Sequence, residues 1–176
     1  VRVQFMRWDE HGWDTYGPAH IGKVKVAADS NGKLVSYEYE GWQHHWSLID
    51  TTLQTANGVP ASEWPSMAAQ QINPLVLGGQ YNIPNIRLLN HHVPGLDYLK
   101  GAWLRSPLDL SMTFVSEQAI DDLAFQLGHD PYAFRLQNIA DARWQGVLDG
   151  AAQAANWQLR AAAENLSAEE VVFGRG

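Results

Sequence analysis

Cysteine is absent from this chain of 176 residues. Its own residues therefore cannot form a disulfide, a thiolate metal site or an iron–sulfur cluster. The absence does not locate the protein, because the cytoplasm and the periplasm both contain cysteine-free domains. Long hydrophobic runs are also missing. None approaches the roughly 18 residues that a membrane-spanning helix needs, so the sequence predicts no membrane span.

The signature motifs of several enzyme classes are missing as well. Gly78-Gly79-Gln80 lacks the Gly-x-Gly-x-x-Gly spacing and no Gly-Lys-Ser/Thr P-loop is present, so nucleotide binding is only weakly indicated. The two glycines would still allow the backbone to approach a ligand closely. Without a Gly-x-Ser-x-Gly elbow there is no evident hydrolase nucleophile. The net charge of −7 makes nucleic acid and anionic membranes poor partners.

A β-hairpin is the clearest local pattern in the chain. Polar and apolar residues alternate over 22–28 and over 33–40, and Asn31-Gly32 supplies the positive φ of a tight turn. Lysines on one strand could pair with glutamates on the other. Further strands are predicted at 1–7, 83–93 and 99–104.

The last third of the chain is predicted to be helical. Apolar residues at 120, 123, 124 and 127 fall on one helical face, and Gly128 is a typical helix end. Asp130 followed by Pro131 marks the start of a second helix. Asp141 can cap a third helix, whose apolar face would consist of Trp144, Val147, Leu148, Ala151 and Ala155. The predicted fold class is α+β, a mixed or antiparallel sheet with a C-terminal block of three helices.

Three segments follow from these patterns: 1–112 is mainly strands and loops, 113–157 is helical, and 158–176 is a connector into a next strand. Within the first segment, residues 41–82 form a long excursion with a short helix near 62–71. A connection of that size is often functional or an interface. Both ends of the chain resemble cut strands, so we expect it to be a fragment of a longer polypeptide.

Two pairs of adjacent histidines, His44-His45 and His91-His92, raise the hypothesis of a metal site. Adjacent residues of a strand point to opposite faces, so neither pair can chelate one ion as a unit. No His-Glu-x-x-His or His-x-x-x-His pattern is present either. Partly exposed or hydrogen-bonded histidines are the favoured interpretation, and no metal ligand is predicted.

A charged cluster near the start of the chain contains Asp9, Glu10 and Asp14 around Arg7 and His11. Paired carboxylates can act as general acid and general base. A solvated turn or an arginine–carboxylate pair is the more common role of such a cluster. We therefore favour a structural role.

The chain has eight tryptophans, a high number for its length. Core and interface packing is the favoured interpretation, because the residues are scattered and not spaced as a stripe. The alternative is a surface on which sugars or bases stack.

Arg105 lies between a predicted strand and a helix start, next to Ser106 and Pro107. Its guanidinium presents a fork of donors that suits carbonyl, carboxylate or phosphate oxygens. From the residues alone, a surface salt bridge to Asp109 or Glu117 is the simplest interpretation.

Several blocks of the chain, taken in order, carry a family resemblance. They are residues 1–10, the hairpin over 23–40, Tyr81-Asn-Ile-Pro-Asn-Ile-Arg87, Leu104-Arg-Ser-Pro107, Ile120-Asp-Asp-Leu-Ala124 and Asp130-Pro-Tyr-Ala-Phe-Arg-Leu-Gln-Asn138. Together they resemble the molybdopterin-binding large subunit of the xanthine dehydrogenase and aldehyde oxidase family. The first block is most similar to the nicotinate or isoquinoline dehydrogenase branch. Residues 1–176 would then be part of a molybdopterin-binding domain.

The resemblance implies a molybdenum hydroxylase that oxidises an N-heteroaromatic compound or an aldehyde, a small-molecule substrate, with oxygen derived from water. The cofactor would be molybdopterin, and electrons would pass to iron–sulfur clusters on a partner subunit or domain. An FAD or cytochrome subunit is a further candidate partner. The alternative is a non-catalytic binding or assembly module that docks through Trp42, Trp46 or Trp64.

The resemblance also implies where the cofactor binds. The residues concerned are Trp103, Leu104, Arg105, Ser106 and Pro107. Arg105 would face the metal centre. Ser106 takes the position held by cysteine in the carbon monoxide dehydrogenase branch, which argues against that chemistry. The family's Gly-x-Gly-Glu motif is absent, so no catalytic residue is assigned and the catalytic glutamate is expected outside these 176 residues.

Overall fold

The computed structural model describes residues 1–13, 17, 19–44, 57–58, 72–93, 106 and 109–159. The chain divides into two compact units. The first comprises Val1–Val24, Glu38–Leu77 and Arg87–Ser116, and the second comprises Lys25–Tyr37, Gly78–Ile86 and Glu117–Gly176. The predicted helix near 62–71 and the predicted strand at 99–104 lie outside the described residues.

The predicted hairpin is confirmed, with strands β1 (His20–Ala28) and β2 (Leu34–His44). Asp29 organises the turn, because its Oδ1 accepts the backbone N–H groups of Asn31 and Lys33, each at 2.9 Å. Gly32 has a φ of 75°, which is the left-handed conformation that the sequence predicted for this turn.

Strand β3 (Asn85–Val93) follows Pro84, as predicted, and lies beside β2 in a sheet of order β1-β2-β3. Asn85 Nδ2 donates to the Val35 carbonyl oxygen at 3.0 Å, and Arg87 Nη1 pairs with Glu38 Oε1 at 2.9 Å. Partners advance in the same direction along both strands, so β3 runs parallel to β2 whereas the hairpin is antiparallel. The sheet is therefore mixed, one of the two forms predicted.

Helix α1 (Arg7–Trp13) stands where the sequence predicted a strand and then a loop. Asp9 Oδ2 accepts the Met6 N–H at 3.1 Å, which is half of a capping box, and Arg7 Nη1 pairs with Glu10 Oε2 at 3.2 Å. The strand prediction was wrong because these local bonds favour a helix and no described strand pairs with residues 1–6. The acidic cluster has structural partners here, as favoured above, with Asp14 outside the described residues.

The three predicted C-terminal helices are present as α2 (Asp109–Gln126), α3 (Pro131–Asn138) and α4 (Ala142–Ala154). Helix α2 begins four residues before the predicted boundary at 113. It ends in a Schellman motif in which His129 N–H donates to the Ala124 carbonyl at 2.8 Å and Gly128 has a φ of 72°. None of the described helices is long and apolar enough to cross a membrane.

Both predicted aspartate caps are confirmed. Asp130 Oδ1 accepts the Ala133 N–H at 2.9 Å, and Asp141 Oδ1 accepts the Arg143 N–H at 2.8 Å. Helix α4 has Ala155 as its C-cap, and the next residue, Asn156, has a φ of 49°.

The predicted apolar face of α4 is not buried. Trp144 is 45% exposed and Val147 is 64% exposed, and no residue of the helix is fully buried. The hydrophobic period therefore predicted the position of the helix correctly. It did not predict whether the described part of the chain covers the apolar face of that helix.

Each unit has its own buried residues. In the first unit Tyr39, Leu77 and Met112 are buried together with the polar side chains of Gln43 and Asn90. In the second unit the buried hydrophobic residues are Leu34, Tyr37, Tyr81, Ile83, Ile120, Ala124, Phe134 and Ile139. The alternation along β2, with Tyr37, Tyr39, Gly41 and Gln43 buried and the residues between them more exposed, is that of a strand with one covered face.

Candidate functional site

The predicted cofactor loop is described at one position. Ser106 is exposed and has a φ of 57°, a left-handed conformation that non-glycine residues rarely adopt. Such backbone strain is common at ligand-binding positions. Trp103, Leu104, Arg105 and Pro107 lie outside the described residues.

The two carboxylates that were candidate partners for Arg105 already accept hydrogen bonds from other residues. Asp109 Oδ1 accepts from Asn73 Nδ2 at 2.7 Å. Glu117 Oε2 accepts from Arg135 Nε at 2.9 Å. Both carboxylates therefore have a hydrogen-bond partner other than Arg105.

An ion network surrounds Arg135 in the second unit. Glu117 accepts from Tyr81 Oη at 2.8 Å and from Gln80 Nε2 at 3.0 Å, in addition to its bond from Arg135. Arg135 also donates to Asp121 Oδ1 and to the Pro131 carbonyl oxygen. The side chain of Arg135 is 15% exposed, so the network is largely shielded from water.

Burial and charge set the protonation states in this network. Burial, with the negative charge of Glu117 beside it, raises the pKa of the Tyr81 hydroxyl. Burial opposes the charge of Arg135, but the negative charges of Glu117 and Asp121 and the hydrogen bond to Asp121 outweigh it, so the pKa of Arg135 is raised. Tyr81 thus stays a neutral donor and Arg135 a cation, which suits a structural lock better than proton transfer.

The Asp-Pro-x-x-Phe-Arg-x-x-Asn block has a structural role at each of its specified positions. Asp130 caps α3, Pro131 occupies its first turn, Phe134 is fully buried and Arg135 holds Glu117. Asn138 closes the block by binding the hairpin turn. Its Oδ1 accepts the Leu34 N–H at 2.9 Å, and its Nδ2 donates to the Gly32 carbonyl oxygen at 3.0 Å.

The sequence suggested Glu117 only as a salt-bridge partner of Arg105, and it gave Tyr81 no role beyond its place in a block that carries the family resemblance. The signal that could have found them was present, because Tyr81 and Arg135 both belong to blocks that carried the family resemblance. Spacing within each block cannot show that the two blocks meet at one carboxylate.

Gly78 brings backbone close to a side chain rather than to a ligand. It lies in a π-helical turn, Leu75–Gly79, that the sequence did not predict, and its φ is 84°. A Cβ at this position would lie 3.3 Å from Cγ of Tyr37, a ring that is almost completely buried. The glycine is required for this packing.

His91 and Trp42 have structural contacts, whereas Trp8 and Trp144 are 69% and 45% exposed, so packing does not account for every described tryptophan. His91 Nε2 lies 2.9 Å from Glu40 Oε1, and its ring stacks on Trp42 with centroids 5.1 Å apart. Lys23 Nζ lies 5.1 Å from the centroid of the same indole. Among the described residues no group of three or more potential metal ligands exists. His45, Trp46 and Trp64 lie outside them.

Most of these features lie in the part of the chain that matches one protein-family model. The model of the molybdopterin cofactor-binding domain matches residues 1–139. The chain belongs to this family. The match includes the α2 helix, the Arg135 network and the loop from Trp103 to Pro107.

Two relatives agree with this membership. The chain is 27% identical over its whole length to a nicotinate dehydrogenase subunit of Pseudomonas putida and covers 14% of that protein. It is 28% identical over 78% of its length to the aldehyde oxidoreductase molybdenum-binding subunit PaoC of Escherichia coli and covers 16% of it. The chain thus spans about one seventh of the length of these relatives.

Solved structures support the fold. The aldehyde oxidoreductase of Desulfovibrio gigas matches 78% of the chain with a TM-score of 0.55 at 24% identity, over 15% of its own length. Quinoline 2-oxidoreductase of Pseudomonas putida 86 matches 81% of the chain with a TM-score of 0.56 at 12% identity, over 19% of its own length. At such identities the likeness concerns the α+β fold alone.

Proposed function

We propose that the full-length protein is a molybdenum hydroxylase and that residues 1–176 form part of its molybdopterin-binding domain. The single observation that carries the proposal is the family match over residues 1–139. The two curated relatives support it, because one is named for nicotinate and the other for aldehyde oxidation.

The donor chemistry of the predicted loop fits the cofactor. Ser106 is exposed immediately before α2, whose N-terminal end carries the partial positive charge of a helix. Arg105 adds a permanent cation with several N–H donors. This set suits an anionic group rich in oxygen and nitrogen, and Trp103 to Pro107 would hold it through side-chain and backbone groups. When bound, the molybdenum cofactor supplies the two-electron oxidation and the activation of water.

The substrate class is an N-heteroaromatic compound or an aldehyde. The protein residues in this proposal orient the cofactor, and the general base is a glutamate outside the 176 residues. Iron–sulfur clusters on a partner subunit or domain would accept the electrons, and an FAD or cytochrome subunit would be a further partner. The chain itself has no cysteine to hold such clusters.

The competing function is a non-catalytic binding module with a tryptophan-rich docking face. Its described tryptophan, Trp42, already contacts Lys23 and His91 within the first unit. This favours the enzyme over the docking module.

The test uses the full-length protein purified from a host that makes the molybdenum cofactor. Molybdenum and pterin are quantified per polypeptide, and turnover is assayed with nicotinate and with an aromatic aldehyde in ¹⁸O-labelled water. We expect stoichiometric molybdenum and ¹⁸O in the product of one substrate. A folded protein without molybdenum or pterin would overturn the proposal and leave the binding module.

A further inference from the structure

A groove of about 380 Å³ lies within the second unit, between α2, α3 and α4. One wall is apolar and consists of Leu148, Ala151, Ala152 and Ala155, with Trp157 at its end. Such small side chains leave room for a chain of methylene groups. Glu117 and Asp121 of α2 form the opposite rim.

Three groups that could donate hydrogen bonds into the groove, on Trp157, Tyr132 and Arg135, are already engaged. Trp157 Nε1 donates to Asp130 Oδ2 at 3.1 Å, and Tyr132 Oη donates to Asp149 Oδ1 at 2.7 Å. The Asp149 contact raises the pKa of Tyr132, which keeps this hydroxyl protonated. The bonds of Arg135 to Glu117 and Asp121 occupy its guanidinium in the same way.

Acceptors remain available. Asp121 is 39% exposed and receives its bond from Arg135 on Oδ1, which leaves Oδ2 without a hydrogen bond from another described residue. Glu117 and Asp121 line the groove with two carboxylates against the one cation of Arg135, and a third carboxylate, Asp149, lies beside the lining residue Tyr132. The lining therefore favours an occupant that brings positive charge and also covers an apolar wall.

We propose that the groove receives a lysine or arginine side chain, with a neighbouring aliphatic residue, from another segment of the same full-length polypeptide. The methylene stem of such a side chain would lie on Leu148 and Ala152 while its charged end reaches Asp121, a common arrangement for amphipathic side chains. Complementary charge favours a basic occupant over an acidic or neutral one.

The length of the related polypeptide indicates where the segment that fills the groove comes from. The chain covers 14% of the related nicotinate dehydrogenase polypeptide, so a protein of that size has most of its residues outside this chain and joined to it covalently. A covalently linked segment has a high effective concentration at the groove compared with a separate partner. This step rests on the proposed function, which assigns the chain to such a longer polypeptide.

The test places a photo-reactive p-benzoylphenylalanine at Gln118, on the rim of the groove, in the full-length enzyme. The matched control carries it at Gln153, an exposed residue of α4 that does not line the groove. After irradiation, cross-linked peptides are identified by mass spectrometry. We expect position 118 to link to a peptide of the same polypeptide that lies outside residues 1–176 and contains a lysine or arginine, and position 153 not to give that peptide.

A second variant tests the fit of the occupant. Ala152→Trp would fill the groove and lower the yield of the position-118 cross-link at least several-fold, whereas Gln153→Trp would leave it unchanged. Any of four results would overturn the proposal. They are no cross-link, a link to another polypeptide, a link within residues 1–176, and a cross-link yield that Ala152→Trp does not change. Molybdenum is measured in the same preparations. A protein that holds molybdenum but lacks the expected cross-link would contradict the groove proposal alone, whereas a folded protein without molybdenum would contradict the proposed function.

Discussion

Asn138 and Leu34 are 104 positions apart in sequence, and the side-chain oxygen of Asn138 accepts the backbone N–H of Leu34 at 2.9 Å. The same amide donates to the carbonyl oxygens of Gly32 and Phe134 at 3.0 Å and 2.9 Å. Both residues are buried, so water cannot replace these bonds. One side chain therefore fixes the end of α3 against the start of β2.

Asn138→Ala should destabilise the second unit by about 2–4 kcal/mol, because it leaves the buried Leu34 N–H unsatisfied and removes one of the two donors to the Gly32 carbonyl oxygen, the other being Gln137 Nε2. Amide hydrogen exchange over β2 and α3 of the full-length protein measures the effect. Asn82→Ala is the control, since Asn82 is exposed. If amide protection over β2 and α3 is the same in Asn138→Ala and Asn82→Ala, the assigned role of Asn138 is contradicted.

Arg135→Met should destabilise the same unit by about 3 kcal/mol, because removal of the cation leaves Glu117 and Asp121 uncompensated in a partly buried site. This corresponds to roughly a hundredfold loss of amide protection in α3. The control is Arg143→Met, whose side chain is 90% exposed and pairs with Asp141 at the surface. If both substitutions change protection to the same small extent, the network is not a structural lock.

Gly78→Ala and Gly128→Ala separate backbone strain from crowding. Both glycines have a positive φ, so either substitution should cost about 1 kcal/mol for the left-handed conformation. A Cβ at Gly128 meets nothing within 4 Å, whereas a Cβ at Gly78 presses on the buried ring of Tyr37. We expect Gly78→Ala to lower the thermal unfolding temperature more than Gly128→Ala, and the reverse order would refute the packing argument.

The start of α4 should depend on pH through Asp141. Hydrogen bonds from the side chain and the backbone of Arg143 lower the pKa of this carboxyl from 3.8 to about 2. Because the folded-state pKa is depressed, the stabilisation is present above about pH 4 and is lost as the pH falls toward 2. Hydrogen exchange over α4, corrected for intrinsic rates, should show this loss, and Asp141→Asn should remove the pH dependence. An unchanged profile in Asp141→Asn would contradict the assignment.

The sequence predicted those parts of the fold that depend on neighbouring residues. The turn at Gly32, the helix end at Gly128 and the caps Asp130 and Asp141 all depend on bonds within a few residues. Helix α1 was missed although its bonds are local, but other parts that the sequence did not predict depend on distant contacts. The exposure of Trp144 on α4 is one example, since hydrophobic spacing gives a face but not the surface that covers it.

The features of the candidate site also fall into those that the sequence predicted and those that it did not. The resemblance of the block from Asp130 to Asn138 helped to identify the family, although its described residues act in packing and not in chemistry. The meeting of Tyr81, Glu117 and Arg135 could not be predicted, because their separation in sequence exceeds any local pattern. The role of Arg105 stays a prediction from the resemblance.

The measurement that tests the central claim most directly is the molybdenum content of the full-length protein and of its Arg105→Ala variant, with Arg143→Ala as the control. The account predicts stoichiometric molybdenum and pterin in the wild type and in Arg143→Ala, and a several-fold loss in Arg105→Ala because the loop loses its cation. Equal molybdenum in all three proteins would contradict the assigned loop. Its absence from a folded wild type would contradict the enzyme itself.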